Sequence, residues 1–360
     1  MAKRKDTLED LVTFFSKKNI LITGHTGFKG SWLGMLLNVL EANLYGISIT
    51  QNENNILYKD LDLSKIYNKE KFMDLGLKNE NLDEFIESNK IDIVFHLAAQ
   101  PIVSEGVNFP VETFKSNIMG TVNLLEALKK SPPQYIQVIT SDKCYQNSGD
   151  IRFFNENDSL GGDDPYSASK SCQEIVSNSY FKTYFKDMGI KMNTVRAGNI
   201  IGGGDMSLNR IIPDIVKSIF LEKKVLNIRQ PYAVRPWQNV IDPCFAYVTL
   251  AKKNIEGSVD SFAYNFGPDK ESFKNVEELC KVVKKKIFPD FNYILNEKNI
   301  YKEHKNLFLD NSLSKEELGI KNKLDFESSL QFTFNWYKEF YSNRDMFQYS
   351  KLIIKDFIND

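Results

Sequence analysis

The sequence predicts an α/β protein, built on a doubly wound parallel sheet with a smaller C-terminal α+β lobe. Three observations support this prediction. Short buried strand patterns alternate with amphipathic helix patterns as far as residue 196, which is typical of a parallel sheet covered by helices on both faces. A glycine cluster lies directly between the first strand and the first helix. Beyond residue 196 the alternation weakens, and helix patterns mix with short strands.

The individual elements follow from hydrophobic periodicity. Leucines 33, 36, 37 and 40 recur at i, i+3, i+4 and i+7, which predicts a helix from about residue 29. Short apolar runs predict buried strands, and further helical patterns cover 117–128 and 165–184. The predicted strands are 19–23, 44–49, 91–97, 135–140 and 192–196. We expect a first domain over residues 1–195, with a return segment near 228–252, and a second lobe over 196–360.

Composition and charge exclude several classes of protein. The 360 residues are 42% hydrophobic and 26% charged, as in ordinary globular proteins. The 46 Lys and Arg nearly balance the 47 Asp and Glu, so net charge gives no reason to expect nucleic acid or a membrane surface as partner. The polar N-terminus leads into no long apolar run, which predicts neither a signal peptide nor a membrane span.

Cysteine and histidine usage argues against a metal site. The four cysteines show no CxxC spacing, and the three histidines (His25, His96, His304) lack ligand spacing. Unpaired cysteines in a chain of this size suit a reducing compartment. We therefore predict no metal and a cytoplasmic location.

The glycine cluster has the spacing GxxGxxG, at Gly24, Gly27 and Gly30. Glycines between a buried strand and a helix permit a tight turn, and backbone N–H groups can then approach a pyrophosphate at the helix N-terminus. The cluster therefore predicts a dinucleotide-binding Rossmann sheet. The second strand ends without an acidic residue, so these residues alone leave NAD and NADP both open. The predicted contacts in the turn are Gly24, Thr26, Gly27, Phe28, Lys29 and Gly30.

Other cofactor contacts are expected at the carboxyl ends of neighbouring strands. Asp74 and Leu75 would lie near an adenine, and Ala98, Ala99 and Gln100 follow the strand 91–97. The alternative for the two alanines is close packing of strand and helix. The further predicted contacts are Leu97, Asn117, Thr140 and Arg196.

Tyr166 and Lys170 are spaced i and i+4, which places both side chains on one helix face. An ammonium beside a phenol favours the phenolate, so we expect the pair to lower the pKa of Tyr166 and make it a base. The alternative is a surface pair on an amphipathic helix. Tyr166 and Lys170 are predicted to contact the cofactor as well.

Six segments of the chain, in order, resemble the extended short-chain dehydrogenase/reductase family, and within it the nucleotide-sugar 4,6-dehydratases. The segments are 24–33 (GHTGFKGSWL), 96–101 (HLAAQP), 140–145 (TSDKCY), 160–167 (LGGDDPYS), 196–205 (RAGNIIGGGD) and 235–238 (RPWQ). The resemblance implies NAD as cofactor, a nucleotide-sugar substrate, a homodimer or homotetramer, and a role in deoxysugar biosynthesis. The lysine of Asp142-Lys143 is similar to the branch that acts on CDP-glucose.

The resemblance also implies roles for the catalytic residues. Ser141 would complete a Ser–Tyr–Lys set with Tyr166 and Lys170. Asp142 would protonate the departing C6 hydroxyl, and Lys143 is the candidate base for the C5 proton. An aspartate that only caps a turn is the alternative for Asp142.

Substrate contacts are predicted from side-chain chemistry around the expected cleft. Arginine donates paired hydrogen bonds to phosphate, although any one arginine can instead form a surface salt bridge. Trp237 has core packing as its alternative. The predicted substrate contacts are Gln100, Asn199, Arg210, Arg235 and Trp237, with Arg196 as a further phosphate candidate.

The chain departs from the family pattern at 102–107 (IVSEGV), Met206 and Asn239, positions expected near the sugar. These departures put the hexose in doubt. Two rival functions remain open: a nucleotide-sugar 4-epimerase, which needs no acid at Asp142, and a binding protein that retains the fold without turnover.

Overall fold

The computed structural model describes residues 6–49, 56–78, 80–147, 149, 152–207, 210–296 and 307–360. A seven-stranded, wholly parallel sheet lies at its centre, in the order β3-β2-β1-β4-β5-β7-β12, with four two-stranded pairs outside it. The strands are β1 Asn19–Thr23, β2 Asn43–Ser48, β3 Tyr67–Phe72, β4 Ile93–His96, β5 Tyr135–Ile139, β6 Phe153–Phe154, β7 Lys191–Ala197, β8 Ile200–Ile201, β9 Leu226–Ile228, β10 Val234–Pro236, β11 Gln238–Asn239, β12 Ala263–Phe266, β13 Phe273–Asn275, β14 Tyr293–Leu295 and β15 Phe308–Leu309.

Helices cover both faces of the sheet. The α-helices are α1 Leu8–Phe15, α2 Phe28–Val39, α3 Ile56–Asp60, α4 Glu80–Asn89, α5 Val103–Asn108, α6 Pro110–Phe114, α7 Gly120–Lys130, α8 Pro165–Tyr180, α9 Ile211–Val216, α10 Ile241–Ile255, α11 Val276–Val282, α12 Ser312–Leu318, α13 Phe326–Tyr341 and α14 Met346–Asn359. A π-helical turn, Lys115–Met119, joins α6 to α7, and three others extend α8, α9 and α11. Short 3₁₀ turns lie at Leu63–Ile66, Asp142–Cys144 and Lys270–Ser272.

The predicted parallel α/β fold is confirmed, and the five predicted strands form the middle of the sheet. Two outer strands were missed. β3 (YNKEKF) is an edge strand whose middle residues are polar or charged and mostly exposed, so it carries no apolar run. The chain returns to the sheet through α10 and β12, at 241–266, which is later than the predicted segment at 228–252.

The C-terminal part does not form a separate core. One hydrophobic cluster runs from Leu11 to Ile358 and includes residues from both sides of position 196. Helix α14 packs against α2, and the Trp32 indole N–H donates to the Gly203 carbonyl at 2.9 Å. The two parts of the chain are therefore held together behind α2, which fixes the cleft between them.

The order of the strands determines where a ligand can bind. β2 and β3 lie on one side of β1, whereas β4, β5 and β7 lie on the other, so the winding direction changes between β1 and β4. Ligands of open parallel sheets bind at the carboxyl ends of the strands, at this change of direction. The turn after β1 and the segments after β4 and β5 all meet there.

No helix in the described ranges is long and apolar enough to span a membrane. Among the same residues, no group of three or more His, Cys, Asp or Glu side chains could hold a metal ion. All four cysteines are free. His304 lies outside the described residues.

Candidate active site

The turn after β1 accommodates only glycine at critical points. Gly24 has φ +74°, and a Cβ there would lie 2.8 Å from the Ala98 backbone nitrogen. A Cβ on Gly30 would overlap the Gly24 carbonyl oxygen, so helix and turn lie in direct contact. α2 then starts after Gly27, and no side chain caps its first turn. Its N–H groups are directed at the cleft, and these residues fit the pyrophosphate of a dinucleotide.

His25, within this turn, is fully buried and has a role that the sequence did not predict. Its Nε2 lies 2.8 Å from the Glu70 carboxylate, and its Nδ1 lies 3.0 Å from the Ser48 hydroxyl. Ser48 also accepts the Thr26 N–H at 3.3 Å. His25 therefore fastens the turn to β2 and β3. The missed signal is Glu70, because its strand β3 was not predicted.

The residues after β3 lie on the expected side of the sheet. Asp74 is half-buried, and its carboxylate accepts the Gly76 N–H at 2.8 Å and lies 3.8 Å from the Lys115 ammonium. Leu75 is buried, and its carbonyl accepts from Asn123 at 2.7 Å. Their role as adenine contacts stays a prediction.

The segment after β4 is held in place by hydrogen bonds from buried and half-buried side chains. Leu97, Ala98 and Ala99 are half-buried beside the glycine turn. Gln100 donates through its side-chain amide to Thr113 at 2.9 Å and accepts from Ile102. Asn117 is fully buried; it accepts the Gln100 N–H at 2.7 Å and donates to the Ser169 hydroxyl at 2.8 Å. Both amides hold the loop in place, so the structure does not support direct ligand contacts by Asn117.

The predicted catalytic side chains meet at the carboxyl ends of β5 and β7. Tyr166 lies in the first turn of α8, whose start is capped by Asp164 accepting the Ser167 N–H at 3.0 Å. The Ser141 hydroxyl donates to the Asp142 carboxylate at 2.8 Å and lies near the Tyr166 phenol. Tyr166, Ser141 and Asp142 are all buried. A phenol, a hydroxyl and a carboxyl group thus form one cluster.

The pKa of Tyr166 differs from the expectation. Burial raises the pKa of Tyr166 to about 12, and the neighbouring Ser141 side chain opposes this only in part. The Lys170 ammonium donates to Gln173 at 2.7 Å and lies 6.0 Å from the centre of the Tyr166 ring, and burial of the phenol outweighs the effect of this charge. Burial, and next the charge of Lys29, lower the pKa of Lys170 to about 7.

Asp142 has the properties of a proton donor. Burial raises the pKa of its carboxyl group above the ordinary value, against the opposing effects of Lys143, Ser141 and Lys29. A Cβ on Gly198 would lie 3.2 Å from Asp142 Oδ2, so the glycine leaves room for the carboxyl group. Lys143 is half-buried next to it.

Lys29 extends from the glycine turn toward the same cluster. Its ammonium lies 3.3 Å from the Tyr247 hydroxyl, and it interacts electrostatically with Asp142 and Arg210. Burial lowers its pKa to about 8. Lys29 therefore brings a charged group from the cofactor turn to the catalytic cluster.

The prediction that Arg196 binds a ligand phosphate is not supported. Its guanidinium is buried, lies 2.8 Å from the Glu174 carboxylate and donates to the Tyr145 hydroxyl at 2.7 Å. The Thr140 hydroxyl donates to the same buried carboxylate, that of Glu174. Removing one partner of a buried ion pair leaves an unpaired charge, so this pair fixes α8 against β7.

Three of the predicted substrate contacts, Arg210, Arg235 and Asn199, are exposed or half-buried. Arg210 is exposed at the start of α9, 3.1 Å from Asp205, and its charge acts on Tyr166, so it lies near the cluster. Arg235 is half-buried in β10 and donates to the Val234 carbonyl at 2.9 Å, while Asn199 is exposed just after β7.

Two positions expected near the sugar are instead interior. Trp237 is buried in the main core and donates to the Lys274 carbonyl at 2.8 Å, so its predicted role in substrate binding is not supported. Asn239 is fully buried against α13, where it donates to Thr333 at 3.2 Å. Its departure from the family pattern therefore concerns packing, not the sugar.

A glycine turn that fits a pyrophosphate, next to a buried phenol and carboxyl group, defines a dinucleotide-dependent enzyme of the Rossmann class. The sequence profile of the NAD dependent epimerase/dehydratase family matches residues 20–267, and the chain belongs to that family. The predicted resemblance is confirmed, and so is NAD as the cofactor.

Similar proteins include dehydratases and epimerases of nucleotide sugars. The CDP-glucose 4,6-dehydratase of Salmonella typhimurium is 36% identical over 353 residues, covering 96% of this chain and 98% of the relative. The dTDP-D-glucose 4,6-dehydratase of Dictyostelium discoideum is 27% identical, covering 89% and 82%.

Two solved structures have the same fold. The UDP-glucose 4-epimerase of Thermotoga maritima with UDP-glucose has a TM-score of 0.78 at 20% identity, covering 89% of this chain and 99% of that one. The dTDP-glucose 4,6-dehydratase of Bacillus anthracis with NAD has a TM-score of 0.71 at 24% identity, covering 92% and 99%.

Proposed function

We propose that the protein is an NAD-dependent nucleotide-sugar 4,6-dehydratase, a hydro-lyase, and that it converts CDP-glucose to CDP-4-keto-6-deoxyglucose and water. The observation that carries the proposal is the buried Asp142 carboxyl group beside Ser141 and Tyr166. Loss of a sugar hydroxyl requires an acid, whereas epimerisation at C4 does not. The 36% identity to a CDP-glucose 4,6-dehydratase and the Asp142-Lys143 pair support CDP-glucose as the substrate.

Each catalytic side chain has a defined task in this reaction. When bound, NAD supplies an acceptor for the hydride of C4 and the donor that returns it to C6. Tyr166 takes the C4 hydroxyl proton, with the Ser141 side chain beside the phenol. Asp142 delivers a proton to the departing C6 oxygen, a role that burial favours because it raises the pKa of this carboxyl group. Lys143, half-buried beside it, is the candidate acceptor of the C5 proton and the group that would return a proton to C5 at the end of the cycle.

The diphosphate of the substrate would bind to the exposed cationic side of the cleft. Arg210 lies close enough to Tyr166 for its charge to act on the phenol, and Arg235 is half-buried in β10. Guanidinium groups suit a diphosphate because their planar fork donates paired hydrogen bonds. The interior Arg196 and Trp237 take no direct part.

Incubation with CDP-glucose should give a product that has lost one water, without stoichiometric release of NADH. The redox change is internal to the cycle, since the hydride removed from C4 is returned to C6. Mass spectrometry after incubation with CDP-, dTDP-, GDP- and UDP-glucose measures both the reaction and the base preference. An unchanged mass with inverted C4 would indicate an epimerase. NADH equal to product would indicate a simple dehydrogenase.

We further propose that two copies associate through the paired helices 110–130 and α8. Their outer side carries Val111, Phe114, Met119 and Ile175, which are 71%, 36%, 45% and 58% exposed in the single chain. A second copy can cover these side chains with the same surface about a two-fold axis.

Ile175→Glu should therefore convert the oligomer to a monomer, because the new carboxylate would lie in an apolar contact. Light scattering after size-exclusion chromatography measures the mass of the particle. Leu352→Glu on α14 is a matched control, since Leu352 is 49% exposed on another helix. Equal masses for wild type and Ile175→Glu, both above the monomer, would refute this interface.

A further inference from the structure

Gln173, three residues after the catalytic lysine, belongs to no motif, yet it is the hydrogen-bond acceptor of Lys170. The Lys170 ammonium donates to Gln173 Oε1 at 2.7 Å. Lys170 and Gln173 are 3% and 1% exposed, so water does not compete for the contact. The amide thus determines where a catalytic charge lies.

The orientation of this amide is fixed by Thr121. Gln173 Nε2 lies 2.8 Å from Thr121 Oγ1, and the Thr121 hydroxyl donates its single proton to the Asn117 carbonyl at 2.8 Å. Thr121 can therefore only accept from Gln173. The amide nitrogen must face Thr121, which leaves the carbonyl oxygen facing Lys170.

His96, at the end of β4, completes the arrangement. Its Nε2 lies 3.0 Å from Thr121 Oγ1, so it carries a proton and donates. Its Nδ1 accepts from the Thr23 hydroxyl at 2.7 Å, and Thr23 accepts the Ala98 N–H at 3.2 Å. Burial lowers the pKa of His96 to about 3, so the ring stays neutral and these polarities hold at neutral pH. The network connects Lys170 to the segments after β1 and β4.

We propose that Gln173 is a positioning residue for Lys170, holding its ammonium at a set place relative to the Tyr166 phenol through a carbonyl oxygen whose orientation Thr121 imposes. The effect on turnover rests on the proposed function, whereas the effect on Tyr166 does not. The charged and titratable groups around Lys170 are Lys29 on α2, His96 on β4, Cys144 after β5, and Tyr166 and Glu174 on α8. Gln173, which does not titrate, is the group that accepts a hydrogen bond from the ammonium.

Two substitutions separate positioning from general damage. Gln173→Glu keeps the shape but places an anion against the ammonium, which cancels part of its field at Tyr166. The titration of Tyr166 should then move upward by about one pH unit, and kcat should fall more at low pH than at high pH. Gln173→Met removes the acceptor and favours neutral Lys170. It should lower kcat by about tenfold to a hundredfold, with little change in KM and no recovery at high pH.

The titration is measured by nuclear magnetic resonance on the NAD-loaded protein labelled with ¹³Cζ-tyrosine, in which Tyr166→Phe identifies the Tyr166 signal. Initial rates against pH give the second readout. Ser177→Ala is the matched control, because Ser177 lies one turn further along α8, fully buried, with a hydroxyl that has no partner within the described ranges. It should change neither readout.

An unchanged Tyr166 titration and pH–rate profile in folded Gln173→Glu would overturn the proposal. If Gln173→Met does not fold, the result for Gln173→Glu is sufficient to test the proposal. The titration also stands if no nucleotide sugar is turned over, so failure of the proposed function and failure of this inference are distinguishable.

Discussion

Tyr166→Phe is expected to lower turnover by about 10²–10⁴-fold, the usual contribution of a positioned acid or base. The change removes the oxygen that takes the C4 hydroxyl proton. The ring itself should stay in place, since Gly106 packs directly against the Tyr166 Cβ and the side chain is 8% exposed. Steady-state kinetics with CDP-glucose measures the loss, and fluorescence titration with NAD checks that nucleotide binding is retained.

Tyr180→Phe serves as the control for this substitution. Tyr180 is at the other end of α8, and its hydroxyl donates to Glu126 at 2.7 Å near the surface. This substitution also removes one tyrosine hydroxyl from α8, but it leaves the cluster of Ser141, Asp142 and Tyr166 unchanged. Wild-type turnover in a folded Tyr166→Phe protein would mean that the tyrosine is structural.

The elements that were predicted correctly all have a local signal. β1 is four-fifths buried, and its apolar run is continuous, so periodicity identified it. The glycine turn has a local signal too, because each glycine avoids a clash with its own turn or with the adjacent segment. β3 lacks such a signal: it is an edge strand with charged residues, and it is a strand only because β2 pairs with it.

The interior positions of two predicted ligand contacts have a common physical cause. Arg196 and Trp237 were assigned from side-chain chemistry, but their partners, Glu174 and the Lys274 carbonyl, are 22 and 37 residues away in sequence. Whether an arginine faces a ligand or a buried carboxylate depends on tertiary packing, which a motif does not encode.

The same limit applies to the catalytic lysine. The i, i+4 spacing places Tyr166 and Lys170 on one helix face, but a competing acceptor at i+3 from the lysine receives its ammonium. That acceptor is oriented by Thr121, 52 residues earlier. A sequence motif therefore identifies which groups act, whereas the pKa values that let them act depend on buried partners brought together by the fold.

Asp142→Asn should separate the two halves of the proposed reaction. Oxidation at C4 depends on Tyr166, Ser141 and Lys170, which the substitution leaves in place. Elimination should slow by about 10²–10⁴-fold, because an amide of nearly the same shape cannot give a proton to the departing C6 oxygen. The variant should therefore accumulate reduced cofactor after mixing with substrate, visible as a rise in near-ultraviolet absorbance in stopped flow.

Asp142 is a sensitive position for this test because its surroundings are fixed. Ser141 donates to the carboxylate at 2.8 Å, and the space beside Gly198 accepts an amide as readily as a carboxyl group. Asp163→Asn, in the loop before α8, is a control for the change of an acid to an amide outside the cluster. Turnover at the wild-type rate in Asp142→Asn would show that this carboxyl group is not the acid. Since an epimerase never expels the C6 hydroxyl, the same substitution in an epimerase would cause no build-up of reduced cofactor, so the absorbance trace alone distinguishes the two chemistries.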